Sequence, residues 1–576
     1  MNNSRFSLPI LVGFIGITQM AQANSLRPNP SFNFTSVAAK HIKVIADPKF
    51  EGRMTLRVGN TKAAAYIESV FRKNGLKLQE GKTSYQQPFE VTVGQEGTER
   101  NVASGVNSNG KSFNLKLETD YVPASGSTEM KMVSGPVIWL ESEMPSGDLT
   151  GKIVAIARRL DPKNPNALLN TRITKAVELG AIGIIIVGPS ADGRRELPLI
   201  NTRSGIPRSL ETVAIAMTRK SFESMTGINP VTTPASKTDS KTTIRLITET
   251  RVRKGDSTNV VGVIPGNDPV LKNEFIVIGG HYDHLGYGET GSRSGTAEIH
   301  NGADDNASGT AGVLTLSEYF SKTKSNRRTL IFQAYSGEEL GLLGAVAWVQ
   351  QNKELMPKIQ TMINMDMIGR LRNKNLIIYC VNSANEFKTI LDSVTINGVI
   401  PKYIMSSPGN SDHAPFINNK VPSLFFHTDL NPEYHTEKDT LDTINYEGMG
   451  LTIDYVRQSI EKIDQADKFG FAATVQPAGG GDPNRARRVR TGFMPNMGDG
   501  DGKPGMLLNG VTPGSPAEAA GVKVGDRLLE FDGKKINNVE ELQKILTDAK
   551  PNVAVKIKVQ RGNDVIELTI TPLLPA

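Results

Sequence analysis

Five short stretches carry the side chains of this chain that are best placed to do chemistry. "HYD" holds His281 and Asp283, "GADDNASG" (302–309) holds Asp304 and Asp305, and "SGEE" ends in Glu338 and Glu339. "NMD" ends in Asp366, and "EYH" ends in Tyr434 and His435. Adjacent carboxylates such as Asp304 and Asp305 repel, and a cation is the natural counterweight. A plain Asx-type turn capping the next helix is the alternative for an isolated ADDN segment. The histidines favour the cation: of 7 in the chain, all but His41 lie between 281 and 435. A nitrogen- and oxygen-rich set without thiolate suits zinc, with cobalt or manganese as competitors. Two histidines and three carboxylates are too many for one catalytic zinc. They fit two ions about 3.5 Å apart if one carboxylate bridges. Such a pair activates a water and polarises a carbonyl, and a remaining glutamate can take the water's proton.

These residues need elements that bring them together. "NVVGVIPG", "EFIVIGGHYD", "RTLIFQAYSGEE", "QTMINMDMIG", "NLIIYCV" and "VPSLFFHTD" are near-continuous apolar runs between 259 and 429, with helices such as "SGTAGVLTLSEYFSK" between them. Runs of that kind predict an α/β fold whose mixed, mostly parallel sheet is covered on both faces by helices. The polar residues fall just after the strands, where open α/β sheets place their sites. Upstream, "FEGRMTLRVGNTKAAAYIESVFRKNGLK" reads as a loop and then a helix with Ala64, Ile67, Val70 and Phe71 on one stripe. From 118 to 245 the texture changes to short buried strands ("KIVAIARR", "AIGIIIVG", "ETVAIAM") around the helix "TRITKAVELGA", which predicts a compact α+β insertion. Residues 471–488 are a Pro/Gly-rich linker, and 489–576 have the size of one small β-rich domain.

At 576 residues the chain needs several cores. A net charge of +7 without a dense basic block gives no footing for nucleic acid. Residues 1–23 have a positive start at Arg5, a short apolar core and the small-x-small end Ala21-Gln22-Ala23, the pattern of an export signal. No apolar run is long enough for a transmembrane segment, and Cys380 is the single cysteine. The expectation is an exported protein, periplasmic or extracellular, without intramolecular disulfides.

HYD, GADDNASG, SGEELGLLGA, NMDMIG, SDHAPF and the late YH, in this order and spacing, resemble the M28 family of zinc aminopeptidases over roughly 24–117 and 246–470. The resemblance implies a zinc-exopeptidase-like catalytic domain in those two segments. It makes His281 and Asp366 ligands of one zinc, Glu339 and His435 ligands of the other, and Asp305 the bridge between them. It makes Glu338 the general base and acid, gives Tyr434 the tetrahedral oxyanion, and seats Asp283 behind His281. The implied reaction is removal of N-terminal residues from peptides with a free N-terminus. The insertion 118–245 resembles a protease-associated domain, most clearly in "AVELGAIGIIIV". The tail resembles a PDZ domain, with "TGFMP" (491–495) as the loop for the terminal carboxylate of a peptide ligand. There Gly492 would let the backbone turn and Phe493 would line the pocket. "EGRMTLRVGN" departs from the family pattern in lacking the glycine-threonine turn after EGR.

Asp304 is expected to support its loop. Ser411-Asp412-His413 lacks the G-x-S-x-G elbow of a serine hydrolase, so Asp412 and His413 are expected to line the substrate pocket. His284, His300 and His427 are expected to be loop or core residues. A carboxypeptidase-like enzyme or a glutaminyl cyclase on the same scaffold, or a non-catalytic receptor-like protein, are the alternatives. The full ligand set argues against the cyclase and the receptor. A carboxypeptidase would need an arginine cluster near the motifs.

Overall fold

The computed structural model describes residues 32–573 except 125, 141–143, 158–164, 189–209, 231–237, 289–290, 295, 406, 408–409, 473–488, 496–502, 513–514 and 537–538. The expected signal at 1–23 and nearly all of the expected linker lie outside these.

The sheet that carries the chemistry has eight strands: β1 (Gln86–Gly97), β2 (Thr250–Ile264), β3 (Phe275–His281), β4 (Thr329–Tyr335), β5 (Ile359–Met365), β6 (Asn375–Tyr379), β7 (Ile400–Tyr403) and β8 (Ser423–His427). Their order is β1-β2-β4-β3-β5-β8-β6-β7. The middle four, β4-β3-β5-β8, run parallel, and β2 and β6 flank them antiparallel. This is the expected mixed α/β sheet. Every residue of β4 and β5 is buried, because helices cover both faces and leave no side for polar alternation.

Helix α2 (Val58–Lys73) and helix α3 (Gly309–Thr323) pack on this sheet, and helix α1 (Phe34–Ile45) packs against α3. The predicted stripe Ala64, Ile67, Val70 and Phe71 is the buried face of α2. Helix α3 starts hard against the end of β5. A Cβ at Gly309 would lie 2.2 Å from the Met365 carbonyl, so only glycine lets the helix follow the acidic turn at this distance.

The insertion leaves the sheet through a long β1–β2 ladder, in register from Gln86↔Val260 to Gly97↔Thr250. Beyond it lies a second eight-stranded sheet. Four parallel strands, Val133–Leu140, Ile153–Ala157, Gly183–Val187 and Val213–Met217, form its centre. Trp139, Ile185 and Phe222 fill one face of it, and Ile156, Ile173 and Ala176 the other. Val102–Val106 and Ser112–Asn114 also belong to this sheet, so it takes in chain before the expected start at 118. Their short, half-exposed sequences, with glycine and serine inside, carry no apolar run that would announce them.

The tail forms a third sheet, whose order begins at Phe493–Pro495 and continues through Met506–Val511, Arg527–Phe531, Val555–Arg561 and Asp564–Ile570. The helix Val539–Asp548 contributes Leu542, Ile545 and Leu546 to its core. Among the described residues no helix is long and apolar enough to cross a membrane.

Candidate metal centre

The parallel strands deliver the polar residues to one edge. His281 is the last residue of β3, Asp366 directly follows β5, and the Glu338–Glu339 turn follows β4. Asp305 comes from the helical turn Ala303–Ser308 that leads into α3, and Tyr434 and His435 come from the segment after β8.

Asp305 sits at the centre and divides its two oxygens. Its Oδ1 lies 3.3 Å from His281 Nε2, and its Oδ2 lies 3.1 Å from His435 Nε2. His281 Nε2 is also 3.6 Å from Asp366 Oδ1, and His435 Nε2 is 3.2 Å from Glu339 Oε1. Two donors each about 2.1 Å from a tetrahedral ion stand about 3.4 Å apart, so these separations are those of ligands around one ion. His281, Asp305 and Asp366 could thus hold one ion. Asp305 also completes a second group with Glu339 and His284.

In that second group two histidines compete. His284 Nδ1 is 2.9 Å from Glu339 Oε1 but 4.0 Å from Asp305 Oδ2. The first is a hydrogen-bond length and the second is too long for a shared ion. His435 spans both carboxylates evenly, and its Nδ1 faces the Gly291 carbonyl at 3.1 Å, which orients Nε2 inward. His435 thus meets both carboxylates at ligand spacing, and His284 meets Glu339 at hydrogen-bond length. Sequence reading left His284 as a loop or core residue, because nothing in "HYDH" shows which way its fourth residue points.

Asp283 fills a broader role than expected. Its carboxylate is 3.7 Å from His281 Nδ1, while that nitrogen is closer, 3.2 Å, to the Asp283 carbonyl. The carboxylate accepts from the amides of Glu338 (3.1 Å) and Glu339 (3.4 Å) and from Thr55 Oγ1 (3.0 Å), so it fixes the glutamate turn as well.

The acidic turn is not an Asx cap made by its aspartates. Asn306 Oδ1 accepts from Gly309 N, while Asp304 turns away, accepting from Gly369 N at 2.8 Å and Asn431 Nδ2 at 3.1 Å. Asp304 supports the loop, as expected. Beneath the turn lies Arg53, fully buried, which donates to the carbonyls of Ile45, Tyr282, Asn301 and Gly302. Its place in "FEGR" was the only sequence signal for this role.

The electrostatics ask for positive charge. Burial opposes ionisation of Asp305, yet its contacts with His281 and His435 hold its pKa well below the usual carboxylate range. Burial likewise lowers the histidines, but Glu338 and Asp366 raise His281 well above its ordinary value, and Glu339 and Asp305 carry His435 up to about 10. The imidazoles thus hold protons where a metal-binding site would hold cations. Glu338 is pushed well up, first by burial and then by Glu339, Asp412 and Asp366. Tyr434 is pushed far above its usual range by burial and then by Asp305 and Glu339, so it keeps its phenolic proton.

A cleft opens onto Asp305, Glu338, Asp366 and Tyr434, and its outer wall is Met367, Tyr379, Phe425, His427 and Leu430. Asp412 and His413 do not line it, contrary to expectation. Both are fully buried, and His413 stacks on Phe425 with ring centres 4.8 Å apart. Ser411 of that motif bonds to the site directly, its Oγ donating to Asp366 Oδ2 at 2.7 Å, while Asp412 acts on Glu338 through its charge alone. His427 takes a wall position, its Nδ1 2.7 Å from the Asp366 carbonyl. His300 stays outside, held by Ser292 and its own loop.

Residues 259–460 match the sequence profile of peptidase family M28, and residues 490–571 match that of a PDZ domain. The segment 259–460 is thus similar to M28 peptidases, and 490–571 to PDZ domains. A probable leucine aminopeptidase 1 of Trichophyton verrucosum is 30% identical over 217 residues, covering 33% of this chain and 54% of that protein. The leucine aminopeptidase 1 of Trichophyton rubrum matches at 30% identity with the same two coverages. The chain thus spans about half the length of the curated relatives it matches. Among solved structures, a zinc aminopeptidase of Bacillus subtilis aligns with a TM-score of 0.49 and 20% identity over 74% of this chain and 94% of that one.

Proposed function

We propose that this chain is a two-zinc aminopeptidase that removes N-terminal residues from peptides. The observation that carries the reading is the division of Asp305 between two donor sets, His281–Asp366 and His435–Glu339, at ligand–ligand spacing. A buried, thiol-free nitrogen and oxygen set of this size suits zinc, with cobalt or manganese as substitutes. When bound, the ions would polarise the scissile carbonyl and activate the attacking water.

The remaining roles fall to the protein. Glu338 stands 3.8 Å from His281 Nε2 at the rim of the cleft, fixed through its amide by Asp283. Its raised proton affinity suits a group that takes a proton from the water and returns it to the departing amine. Tyr434, kept protonated, donates to the oxygen that gains negative charge. Met367, Phe425 and Leu430 offer an apolar wall for the first side chain of the substrate, in keeping with curated relatives named leucine aminopeptidases. The concentration of carboxylates favours a free, positively charged N-terminus.

We read residues 98–249 as the protease-associated-like insertion, on the extent of the second sheet. The composition of residues 1–23 supports export. The deciding experiment is elemental analysis of zinc-loaded protein beside hydrolysis of aminoacyl anilides and their N-acetylated forms. Two ions per chain and cleavage of free amines alone are expected. One ion or none, or equal cleavage of the acetylated forms, would overturn the reading.

A further inference from the structure

The loop after β3 reaches past the metal centre. Arg293 donates its backbone N–H to the His435 carbonyl at 2.9 Å, and its guanidinium carbon stands 5.9 Å from the centre of the Tyr434 ring. The Tyr434 and His435 rings stack with centres 3.9 Å apart, so this one residue braces both. The far end of the same side chain leaves the peptidase domain: Arg293 Nη2 donates to Thr512 Oγ1 of the PDZ domain.

Thr512 is not a remote surface position in that domain. It directly follows the strand Met506–Val511, its amide donates to the Gly492 carbonyl at 2.9 Å, and Phe493 pairs with Val511. Gly492 and Phe493 belong to the segment that reads as the carboxylate-binding loop. A path of two hydrogen bonds therefore joins that loop to the residue bracing His435 and Tyr434. An isolated surface contact of an arginine contributes little, because its side chain is free to move. Arg293 has less freedom, since its backbone is tied to His435 and its head rests by the Tyr434 ring.

We infer that Arg293 is a positioning residue for Tyr434 and His435 whose own anchor is Thr512, so that a peptide carboxylate held at 491–495 and the metal centre are thermodynamically coupled. The inference rests on the reading of Tyr434 and His435 given above. Coupling of this kind is reciprocal: whatever shifts Arg293 from one end is felt at the other.

The test uses the full zinc-loaded chain and kcat and KM on leucine anilide. Thr512→Val removes the hydroxyl that Arg293 donates to, and Thr512→Ser keeps it. Thr512→Val is expected to lower kcat about 5-fold, the lower end of typical coupling, with zinc content unchanged, and Thr512→Ser to restore it. Arg293→Gln should lower kcat further, and the double variant should match Arg293→Gln rather than multiply the two losses. In a Tyr434→Phe background the Thr512→Val effect should shrink to the share carried by His435, which a general loss of packing would not produce. The ligand arm uses an N-acetylated pentapeptide ending in leucine, as acid and as amide. The acid should change kcat in wild type and not in Thr512→Val, and the amide should change neither. Wild-type kcat in Thr512→Val, multiplicative losses, a loss undiminished without the Tyr434 hydroxyl, or indifference to the acid would each overturn the coupling. If wild type binds two zinc ions yet turns over no aminoacyl anilide, the aminopeptidase reading fails instead. Zinc affinity in the same variants then measures the coupling.

Discussion

Asp439 holds Asp305 by its backbone: Asp439 Oδ2 accepts the Asp305 amide at 3.0 Å, and the same carboxylate takes the Asp304 amide at 3.0 and 3.1 Å. A third buried carboxylate thus organises the acidic turn through two N–H groups, while Arg53 holds the carbonyls of Asn301 and Gly302. Asp439 reaches no donor atom of the ions, yet it sets where Asp305 can point. Loss of such a supporting partner typically weakens metal affinity about 10- to 100-fold. Asp439→Ala should show a loss of that size in chelator competition, and Asp439→Asn, which keeps an acceptor oxygen, a smaller one. Unchanged affinity in both would mean that Arg53 alone suffices to hold the turn.

Glu338 is adjacent to a donor without being placed as one. Glu338→Gln preserves its size and its amide contact with Asp283 but removes the proton acceptor. Turnover should fall by about 10² to 10⁴, the usual contribution of a general base, with both ions retained. Near-normal kcat would reassign the proton transfer to another group.

His284 and His435 both approach Glu339, and the distances separate their roles. His435→Ala should cost the chain one ion of two. His284→Ala should keep both, with affinity at the second set reduced about 10-fold as Glu339 loses its orienting partner. The reverse pattern in elemental analysis would make His284 the ligand.

How much of this was legible beforehand depended on burial. The strands β3, β4, β5 and β8 announce themselves because parallel strands covered on both faces must be apolar throughout, and their ends then give the site. Val102–Val106 and Ser112–Asn114 stayed hidden because half-exposed strands with glycine and serine resemble loops. Ser411, Asp412 and His413 were adjacent in sequence, but only the direction of each side chain decides that Ser411 bonds to Asp366 while His413 stacks on Phe425 and Asp412 stays buried outside the cleft. Arg53 and Asp439 act through carbonyls and amides, and contacts to the backbone leave no pattern in side-chain types. Asp304 and Asp305 were recognisable as a pair, yet their division of labour rests on partners about 60 to 130 residues away.

Two buried histidines outside the donor sets make stability depend on pH. Burial lowers His413 to about 3 and His41 to about 4, against an ordinary value of 6.5. As pH falls below 6.5 the unfolded chain binds these protons and the folded chain does not. Their contribution is therefore complete above 6.5 and is lost progressively toward pH 4 and 3, by up to about 1.4 kcal/mol per pH unit for each group. Urea unfolding of the metal-free protein at pH 7.5, 5.5 and 4.5 reads this slope. His413→Phe, which keeps the stack on Phe425, should flatten it. An identical slope in the variant would show that His413 contributes nothing and that His41 and the carboxylates set the acid limit.

The PDZ domain presents Phe493–Pro495 at the end of its sheet order, paired along one side with Met506–Val511, which suits addition of a peptide strand along the other. Gly492, just before this strand, has φ +84°, and a Cβ there would lie 2.1 Å from Ser515 Cβ. Only glycine meets both conditions, so the carbonyl that Thr512 binds and the amides offered to a carboxylate depend on it. Phe493 is partly buried against the domain core, with its ring edge-on to Phe531 at 6.4 Å, and so is not a free side chain. Peptides with an apolar last residue and a free carboxylate should bind the full chain, and their C-terminal amides should bind at least about 10-fold more weakly, because the amides of the loop would lose their charged partner. Gly492→Ala should abolish the preference for acids while leaving zinc content intact. Titration of the acid and amide pair by calorimetry checks both statements, and equal binding of the two peptides would leave Gly492 with a role in the fold alone.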